Sequence, residues 1–292
     1  MGRLMRAITT DGAILATVLN STDMCNRAEQ IHQSSATVTA AMGRLMTAAS
    51  MMGAALKGDD DTITLRINGG GPVGTIIAVS DAYGNAKVSV TNPIVELPLN
   101  AKGKLDVGGA VGTEGYLSVI RDHGDGEPQT GYSEIVSGEI GDDLTYFFAN
   151  SEQIPTVCSL GVLVAPELNV AAAGGYLLQL LPGADDETID KLEAAMPNVP
   201  AVSTMVNDGL SGREILDKAL AGFEYEIIEE RDVEYRCDCS QERVEKVLIS
   251  LGAEELEKLA AEQEKTTVEC HFCEKKYEFS SDEVRNLLNS SR

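Results

Sequence analysis

The sequence predicts an α+β protein with an N-terminal mixed sheet-and-helix core domain, a helical linker and a small C-terminal domain. Three observations lead to this prediction. Residues 1–182 mix strand-like runs with helix formers, residues 183–231 are strongly acidic and interrupted by glycine and proline, and residues 232–292 hold four of the six cysteines. A chain of 292 residues is long enough to bury a sizeable core beside a smaller unit.

The first sixty residues predict a β-hairpin followed by helix. Two strand-like runs flank the turn signal Asp11-Gly12. Helix formers then dominate from Thr22 to Leu56. An apolar stripe recurs there at three- and four-residue spacing and consists of Leu45, Met46, Ala49, Met52 and Leu56.

Residues 62–182 predict most of the strands of the core domain. The runs "TITLRING", "GTIIAVSDAYGNAKVSVTNP" and "GYLSVIRD" are rich in β-branched residues, and Gly84-Asn85 is a hairpin turn signal. The segment "GDDLTYFFANSEQ" predicts a helix with an acidic first turn. The runs "TVCSLGVLVAP" and "GGYLLQLLPG" predict buried strands.

Residues 183–231 predict a linker made of short helices. The segment contains 12 acidic and 4 basic residues, a net charge of −8 over 49 positions. Helices of this length are marginally stable alone in water, so we expect them to need a surface on which to pack. Two apolar faces recur at helical spacing, Ile189, Leu192, Met196 and Val199 in one and Ile215, Leu216, Ala219 and Leu220 in the other.

The C-terminal domain, residues 232–292, is predicted to be organised by its cysteines. Cys237 and Cys239 form a C-x-C pair, and Cys270 and Cys273 form a C-x-x-C pair. Two strong helical patterns lie between the pairs, and a third follows the second pair.

Composition argues against several classes of function. The net charge of −23 disfavours binding to nucleic acid and to anionic membrane surfaces. No window approaches the 18 apolar residues of a membrane-spanning helix, and Asp11 interrupts any apolar signal-peptide core. We therefore expect a cytoplasmic protein with reduced thiols, in which paired cysteines point to metal binding or redox chemistry.

Four thiolates in two local pairs are typical of a tetrahedral zinc site, with Zn–S distances near ~2.3 Å. We therefore predict Cys237, Cys239, Cys270 and Cys273 as the metal ligands and His271 as a bystander. Spacing alone leaves three interpretations open: a static structural zinc site, a zinc site that responds to oxidants, and a dithiol redox pair in the C-x-x-C motif. The static site is the commonest meaning of paired cysteines.

Two features of the pairs are those of an oxidant sensor. Arg236, Lys275 and Lys276 flank the ligands, and cations keep a thiolate deprotonated, which is the form that reacts with oxidants. Two cysteines that lie two or three residues apart can also form a disulfide with each other once oxidised. Structural zinc is worth roughly 10–16 kcal/mol, comparable with the net stability of a domain, so we expect its loss to unfold the small domain.

The cysteine pattern and several core motifs closely resemble the heat-shock protein 33 family of redox-regulated bacterial chaperones. The family signature is C-x-C, a long spacer and C-x-x-C near the C-terminus, which Cys237, Cys239, Cys270 and Cys273 match. The segments "DDLTYFFANSEQIPT", "GGYLLQLLPGA" and "GGGPVGTIIAVSDAYGNAKVSVTNP" resemble motifs of the family's core domain. The resemblance covers essentially the whole chain and favours the zinc site that responds to oxidants.

The resemblance implies a holdase that needs no ATP. In the family, the reduced protein binds one zinc ion per chain and is inactive. Oxidant and mild heat form the disulfides Cys237–Cys239 and Cys270–Cys273, release zinc and unfold the zinc domain and linker. Unfolding client proteins then bind the exposed apolar surface, and a homodimer accompanies activity. Two alternatives stay open, a static zinc-ribbon scaffold and a thiol–disulfide oxidoreductase.

The remaining candidate residues predict no further site. Cys25 and Cys158 fall in predicted helix and strand and are expected to be small buried hydrophobic residues. The run "GGGPVG" lacks the lysine and hydroxyl residue of a phosphate-binding loop and is expected to be a turn. His32 and His123 stand apart from any nucleophile in the sequence, so we do not expect an enzyme.

Overall fold

The computed structural model describes residues 1–124 and 126–290, and the chain divides after Arg236 into two compact units. The first unit contains two five-stranded antiparallel sheets with helices, and the second contains a two-stranded sheet with helices. The α+β class predicted from the sequence is therefore confirmed. The predicted domain boundaries after residues 182 and 231 mark segments expected to fold and function separately, and they stay predictions.

The first sheet begins with the predicted N-terminal hairpin. Gly12 takes a left-handed φ of 72°, and the Asp11 carboxylate accepts a hydrogen bond from the Ala13 backbone at 2.9 Å, so this turn closes as the sequence indicates. In spatial order the sheet comprises β10 (Tyr225–Val233), β1 (Gly2–Thr9), β2 (Ile14–Asn20), β9 (Val170–Leu180) and β8 (Thr156–Val164).

The second sheet contains the other predicted hairpin. Gly84 takes a φ of 84°, and the Asp81 carboxylate accepts hydrogen bonds from the backbones of Tyr83 and Asn85 at 2.9 Å each. In spatial order the sheet comprises β5 (Ala86–Val90), β4 (Ile76–Asp81), β3 (Thr62–Asn68), β6 (Tyr116–Asp122) and β7 (Gln129–Glu134).

The predicted helical region after the first hairpin forms two helices, α1 (Thr22–His32) and α2 (Ala36–Gly53). They are separated at Gln33, which is left-handed with φ 46°. Helix α2 contacts strands of both sheets and is buried on all sides, where the sequence predicted a single apolar stripe. Its small residues explain the difference, because alanine, glycine and serine allow strands to approach every face.

Two shorter helices complete the core of the first unit. They are α3 (Val107–Val111) and α4 (Gly141–Phe147), the second of which continues as a π-helical turn over Phe148–Glu152. The fully buried Asp143 of α4 accepts hydrogen bonds from four backbone N–H groups, those of Val136, Ser137, Gly138 and Ile140. This carboxylate holds Ile140 at a φ of 67°, a conformation that a β-branched residue rarely adopts.

The predicted short linker helices are present and pack on the first sheet. They are α5 (Asp186–Ala195) and α7 (Gly212–Ala219), and the structure adds α6 (Val202–Asn207) between the two predicted apolar faces. Together with one face of the sheet they form a second apolar core, which contains Leu192, Met196 and Val199 of the first predicted linker face and all four residues of the second. After them the structure adds β10, an edge strand that the sequence pattern did not indicate.

The second unit has three helices and one β-hairpin in the part of the chain that the structure describes. Its helices match the three predicted helical patterns. Its core is small and consists of Val244, Leu248, Leu256, Ala260, Tyr277, Phe279 and Val284. The elements are α8 (Gln241–Ser250), α9 (Ala253–Glu262), β11 (Lys265–Glu269), β12 (Lys276–Ser280) and α10 (Ser281–Ser290).

None of the described helices combines the length and the apolar composition needed to span a lipid bilayer.

Candidate metal centre

The four paired cysteines lie at the two ends of the second unit's sequence and meet in space. Cys237 and Cys239 precede helix α8, whose N-cap Ser240 accepts a hydrogen bond from the Arg243 backbone at 3.2 Å. Cys270 and Cys273 lie in the turn that joins β11 to β12. Folding of the helices between the pairs therefore brings residues more than thirty positions apart to one point.

The sulfur positions fit a tetrahedral metal ion. All four Sγ atoms lie within 4.8 Å of one another. The Sγ atoms of Cys237 and Cys270 are 3.7 Å apart, and those of Cys239 and Cys273 are 3.3 Å apart. A tetrahedron with Zn–S bonds of ~2.3 Å needs sulfur–sulfur distances of about 3.8 Å, close to these values. All four cysteines are free thiols.

The turn of the C-x-x-C motif is built from backbone hydrogen bonds. The Cys270 carbonyl accepts from the backbone N–H of Cys273 at 3.3 Å and of Glu274 at 2.8 Å. The Cys270 N–H donates to the Lys275 carbonyl at 3.0 Å, and Glu274 takes a left-handed φ of 57°. This geometry points two sulfur atoms, three residues apart, at the same position.

Tyr277 adds a hydrogen-bond donor to the cluster that sequence reasoning missed. Its hydroxyl donates to the Sγ of Cys239 at 3.1 Å. Burial opposes ionisation of Cys239, but hydrogen bonds from Tyr277 and the other thiols outweigh burial and lower the pKa of Cys239 to about 7. The sequence signal that could have identified this donor is the position of Tyr277, four residues after Cys273 and in a short strand.

Two of the other thiols in the cluster, Cys237 and Cys273, are harder to ionise without a metal. Burial, together with hydrogen bonds among the thiols, raises the pKa of both Cys237 and Cys273. The hydrogen bond to Cys239 in turn raises the pKa of Tyr277. One thiolate shared among several thiols is the arrangement that a divalent cation converts into a full set of ligands, because the cation displaces the remaining protons.

The cations expected to stabilise the thiolates face other groups. Arg236 pairs with Glu234 at 2.7 Å, and Lys276 lies 3.6 Å from Glu269. The Nζ of Lys275 lies 4.9 Å from the centre of the Tyr277 ring. Hydrogen bonding by Tyr277, and not an adjacent cation, therefore distinguishes Cys239 from its neighbours.

The remaining candidate residues are not members of the thiol cluster. His271 is exposed and lies outside the group of clustered thiols, and its role as a bystander stays a prediction. Cys25 is buried in α1, and burial raises its pKa to about 11. Cys158 is only half-buried, since β8 is an edge strand, although burial and the charge of Asp142 raise its pKa.

The two other singled-out histidines have structural partners. The Nε2 of His32 lies 2.8 Å from the Val88 carbonyl, and the Nδ1 of His123 lies 2.9 Å from the Asp61 carboxylate. The run "GGGPVG" forms the turn between β3 and β4, as predicted.

Comparison with known proteins places the chain in a family. The model of the Hsp33 protein family matches residues 2–280. The chain belongs to the Hsp33 family. The 33 kDa chaperonin of Bacillus cytotoxicus is 45% identical over 287 residues, and that of Bacillus cereus is 44% identical, each alignment covering 98% of both chains. The resemblance drawn from the sequence is thereby confirmed.

A solved structure agrees with this assignment. The crystal structure of the 33 kDa chaperonin, a heat shock protein 33 homolog, from Thermotoga maritima superposes with a TM-score of 0.90 and 32% identity. The match covers 99% of this chain and 98% of that one. Family membership makes this Hsp33 protein a chaperone, and a chaperone binds unfolded client proteins.

Proposed function

We propose that this protein is an ATP-independent holdase that a zinc-centred thiol switch turns on during oxidative stress. The observation that carries the proposal is the placement of the four thiols. The first pair of cysteines meets the second pair in space: the sulfur of Cys237 lies close to that of Cys270, and the sulfur of Cys239 lies close to that of Cys273. One zinc ion bound here would link both ends of the domain.

The inactive state is proposed to be reduced and loaded with one zinc ion per chain, held by Cys237, Cys239, Cys270 and Cys273. The ion supplies a four-way link between the thiolates, which stabilises a domain whose apolar core is small. Tyr277 orients Cys239 through its hydroxyl, and the Cys270 carbonyl fixes the turn around Cys273.

Oxidation is proposed to remove these ligands as two local disulfides. Cys237 joins Cys239, and Cys270 joins Cys273. Each pair of thiolates gives up two electrons as its disulfide forms. With peroxide as the oxidant, each disulfide consumes one hydrogen peroxide and two protons from solvent and yields two water molecules. The sulfur–sulfur links then lie within each pair, so the two ends of the domain are no longer held together and zinc is released.

Unfolding of the linker is proposed to expose the residues that bind clients. In α7, Ile215 and Leu216 are buried against the first sheet, and in α5 Leu192 is the buried residue. Short helices depend on such packing for their stability. When they detach, their apolar faces and the sheet face beneath them become available to unfolding proteins. We propose that the active form is a homodimer.

One experiment tests the switch directly. Zinc content and suppression of aggregation of a heat-denatured substrate are measured on the same sample, without ATP, before and after peroxide at elevated temperature. We expect release of about one zinc ion per chain together with a gain of suppression, and a thiol reductant with zinc should reverse both. Sedimentation of the oxidised sample tests for the dimer.

Two other outcomes would redirect the assignment. An oxidised protein that loses zinc and leaves aggregation unchanged, or that keeps its zinc, would favour a static zinc scaffold. Catalytic turnover of a dithiol substrate would favour a thiol–disulfide oxidoreductase.

A further inference from the structure

Strand β10 is placed so that its departure would turn β1 into a free sheet edge. Strand β1 pairs with β2 on one side and with β10 on the other, from Gly2 opposite Val233 to Thr9 opposite Tyr225. Every residue of β1 therefore has a partner on β10 or lies beside one. A sheet edge without its neighbour presents a row of unpaired backbone N–H and C=O groups.

The pairing between β1 and β10 is irregular and partly ionic. It contains a bulge between Arg6 and Ala7, which interrupts the ladder. Arg3 donates to Glu230 at 2.7 Å, and Arg6 donates to Glu229 at 3.1 Å. The Arg3–Glu230 pair is exposed and adds little stability, and the Arg6–Glu229 pair is only partly buried. Backbone pairing and the inward-facing apolar residues of β10 therefore retain the strand together with these ion pairs.

The residues that follow β10 fix its C-terminal end. The Ala86 backbone donates to the Glu234 carbonyl at 3.1 Å and accepts from the Arg236 backbone at 3.0 Å. The hydroxyl of Tyr235 donates to the Val88 carbonyl at 3.1 Å. The last of these contacts is made by Arg236. The next residue in the sequence is Cys237, the first proposed metal ligand.

The contacts that β10 makes define what kind of strand could replace it. Tyr225 and Ile227 pack into the apolar core on one face of the sheet, and alternate residues of the strand are exposed. Departure of Glu229 and Glu230 would leave Arg3 and Arg6 beside an empty edge. A replacement strand therefore needs an extended backbone, apolar residues at alternate positions and a carboxylate opposite one of these arginines.

We propose that clients bind the activated protein by strand addition to β1, in the place that β10 occupies in the structure. The partner is an extended apolar segment of an unfolded protein that carries an acidic residue. Main-chain hydrogen bonds tolerate many sequences, which suits a chaperone that receives varied clients. This inference rests on the proposed function, because it requires that the linker, with β10, comes away on oxidation.

Hydrogen exchange of the full-length chain tests this pairing. Reduced carboxymethylated α-lactalbumin serves as a permanently unfolded client. On oxidation we expect faster exchange in both 2–9 and 225–233. On addition of the client we expect protection to return to 2–9 while 225–233 stays unprotected. Exchange in 2–9 that is unchanged by a client which binds would overturn the inference.

A cross-link gives the second test. Arg3 and Asp232 are directly opposite and exposed, so the double variant Arg3→Cys/Asp232→Cys can form a disulfide between the strands under the activating oxidant. Its matched control is Arg3→Ser/Asp232→Ser, which removes the same side chains without the bond. Peptide mapping confirms the linkage.

The locked variant should release zinc like the control and need at least tenfold more protein for half-maximal suppression of aggregation, because the tethered β10 competes with the client. Equal suppression by the locked and control variants would overturn strand addition and leave the proposed function intact. Absence of suppression by the oxidised wild-type protein would instead overturn the proposed function.

Discussion

At the scale of single residues, Cys239 differs from Cys237 and Cys273 in accepting a hydrogen bond from a hydroxyl group. Tyr277 donates to its sulfur at 3.1 Å, and its pKa falls to about 7, while burial raises the pKa of Cys237 and Cys273. A thiol that ionises near neutral pH is available to a metal or an oxidant before Cys237 and Cys273 when the site is metal-free.

The ligand set is tested by substitution of single residues. Cys237→Ser or Cys273→Ser removes one of four thiolates, and we expect zinc affinity to fall by more than about a hundredfold, since removal of outer hydrogen-bond partners alone costs 10–100-fold. Competition with a chromophoric chelator measures the affinity. Cys25→Ser is the matched control, because that thiol is buried in α1 and is not one of the four clustered thiols. Metal loss in His271→Ala would mean that the ligand set is wrong.

Sequence patterns could predict which cysteines cluster but not every residue that supports the fold. The spacing of the cysteines predicted the cluster, since chain-local pairs are a feature of the sequence itself. Asp143, in contrast, is one of many acidic residues, and only the folded loop reveals its four backbone donors. The left-handed backbone of Ile140 is a conformation that β-branched residues rarely adopt, so no rule based on local sequence could predict it.

At the scale of elements, local periodicity succeeded where one face of an element is buried. The two hairpins and the short helices α5 and α7 follow from turn signals and apolar spacing. Strand β10 escaped prediction because its sequence, "YEIIEERDV", is mostly charged and its stability comes from a partner more than two hundred residues earlier in the chain. Such pairing is tertiary information.

Helix α7 provides the test at this scale. Ile215 is fully buried against the first sheet, so Ile215→Ala should cost about 2–5 kcal/mol of packing. Because each ~1.4 kcal/mol is a factor of ten, the fraction of reduced protein with an open linker should rise at least about thirtyfold. We expect faster proteolysis of residues 183–231 and suppression of aggregation without oxidant.

The control for this prediction lies in the same helix. Lys218 is exposed, so Lys218→Ala changes composition and charge but removes no packing. It should behave as the wild type in both assays. If Ile215→Ala is as protease-resistant and inactive as Lys218→Ala under reducing conditions, packing of α7 is not what keeps the linker closed.

At the scale of the whole molecule, the two units differ in how they are stabilised. The first unit has two large apolar clusters built on five-stranded sheets. The second has seven buried hydrophobic residues among those described, around a two-stranded sheet. Domains this small usually need a metal ion or disulfides for stability. The net charge of −23 favours solubility of the protein and of its complexes with clients.

Removal of the metal should therefore unfold one unit and spare the other. A zinc-selective chelator, applied with a thiol reductant, withdraws the ion without forming disulfides. Zinc at a hundred times its Kd stabilises the folded state by about 2.7 kcal/mol, and the second unit has little other stability to replace this contribution. We expect hydrogen exchange to accelerate in α9 and β12 while α2 and β9 keep their protection. Re-addition of zinc, which restores only the metal, should restore slow exchange. Metal-free, reduced protein with unchanged protection in α9 and β12 would contradict the view that the small core depends on its metal centre.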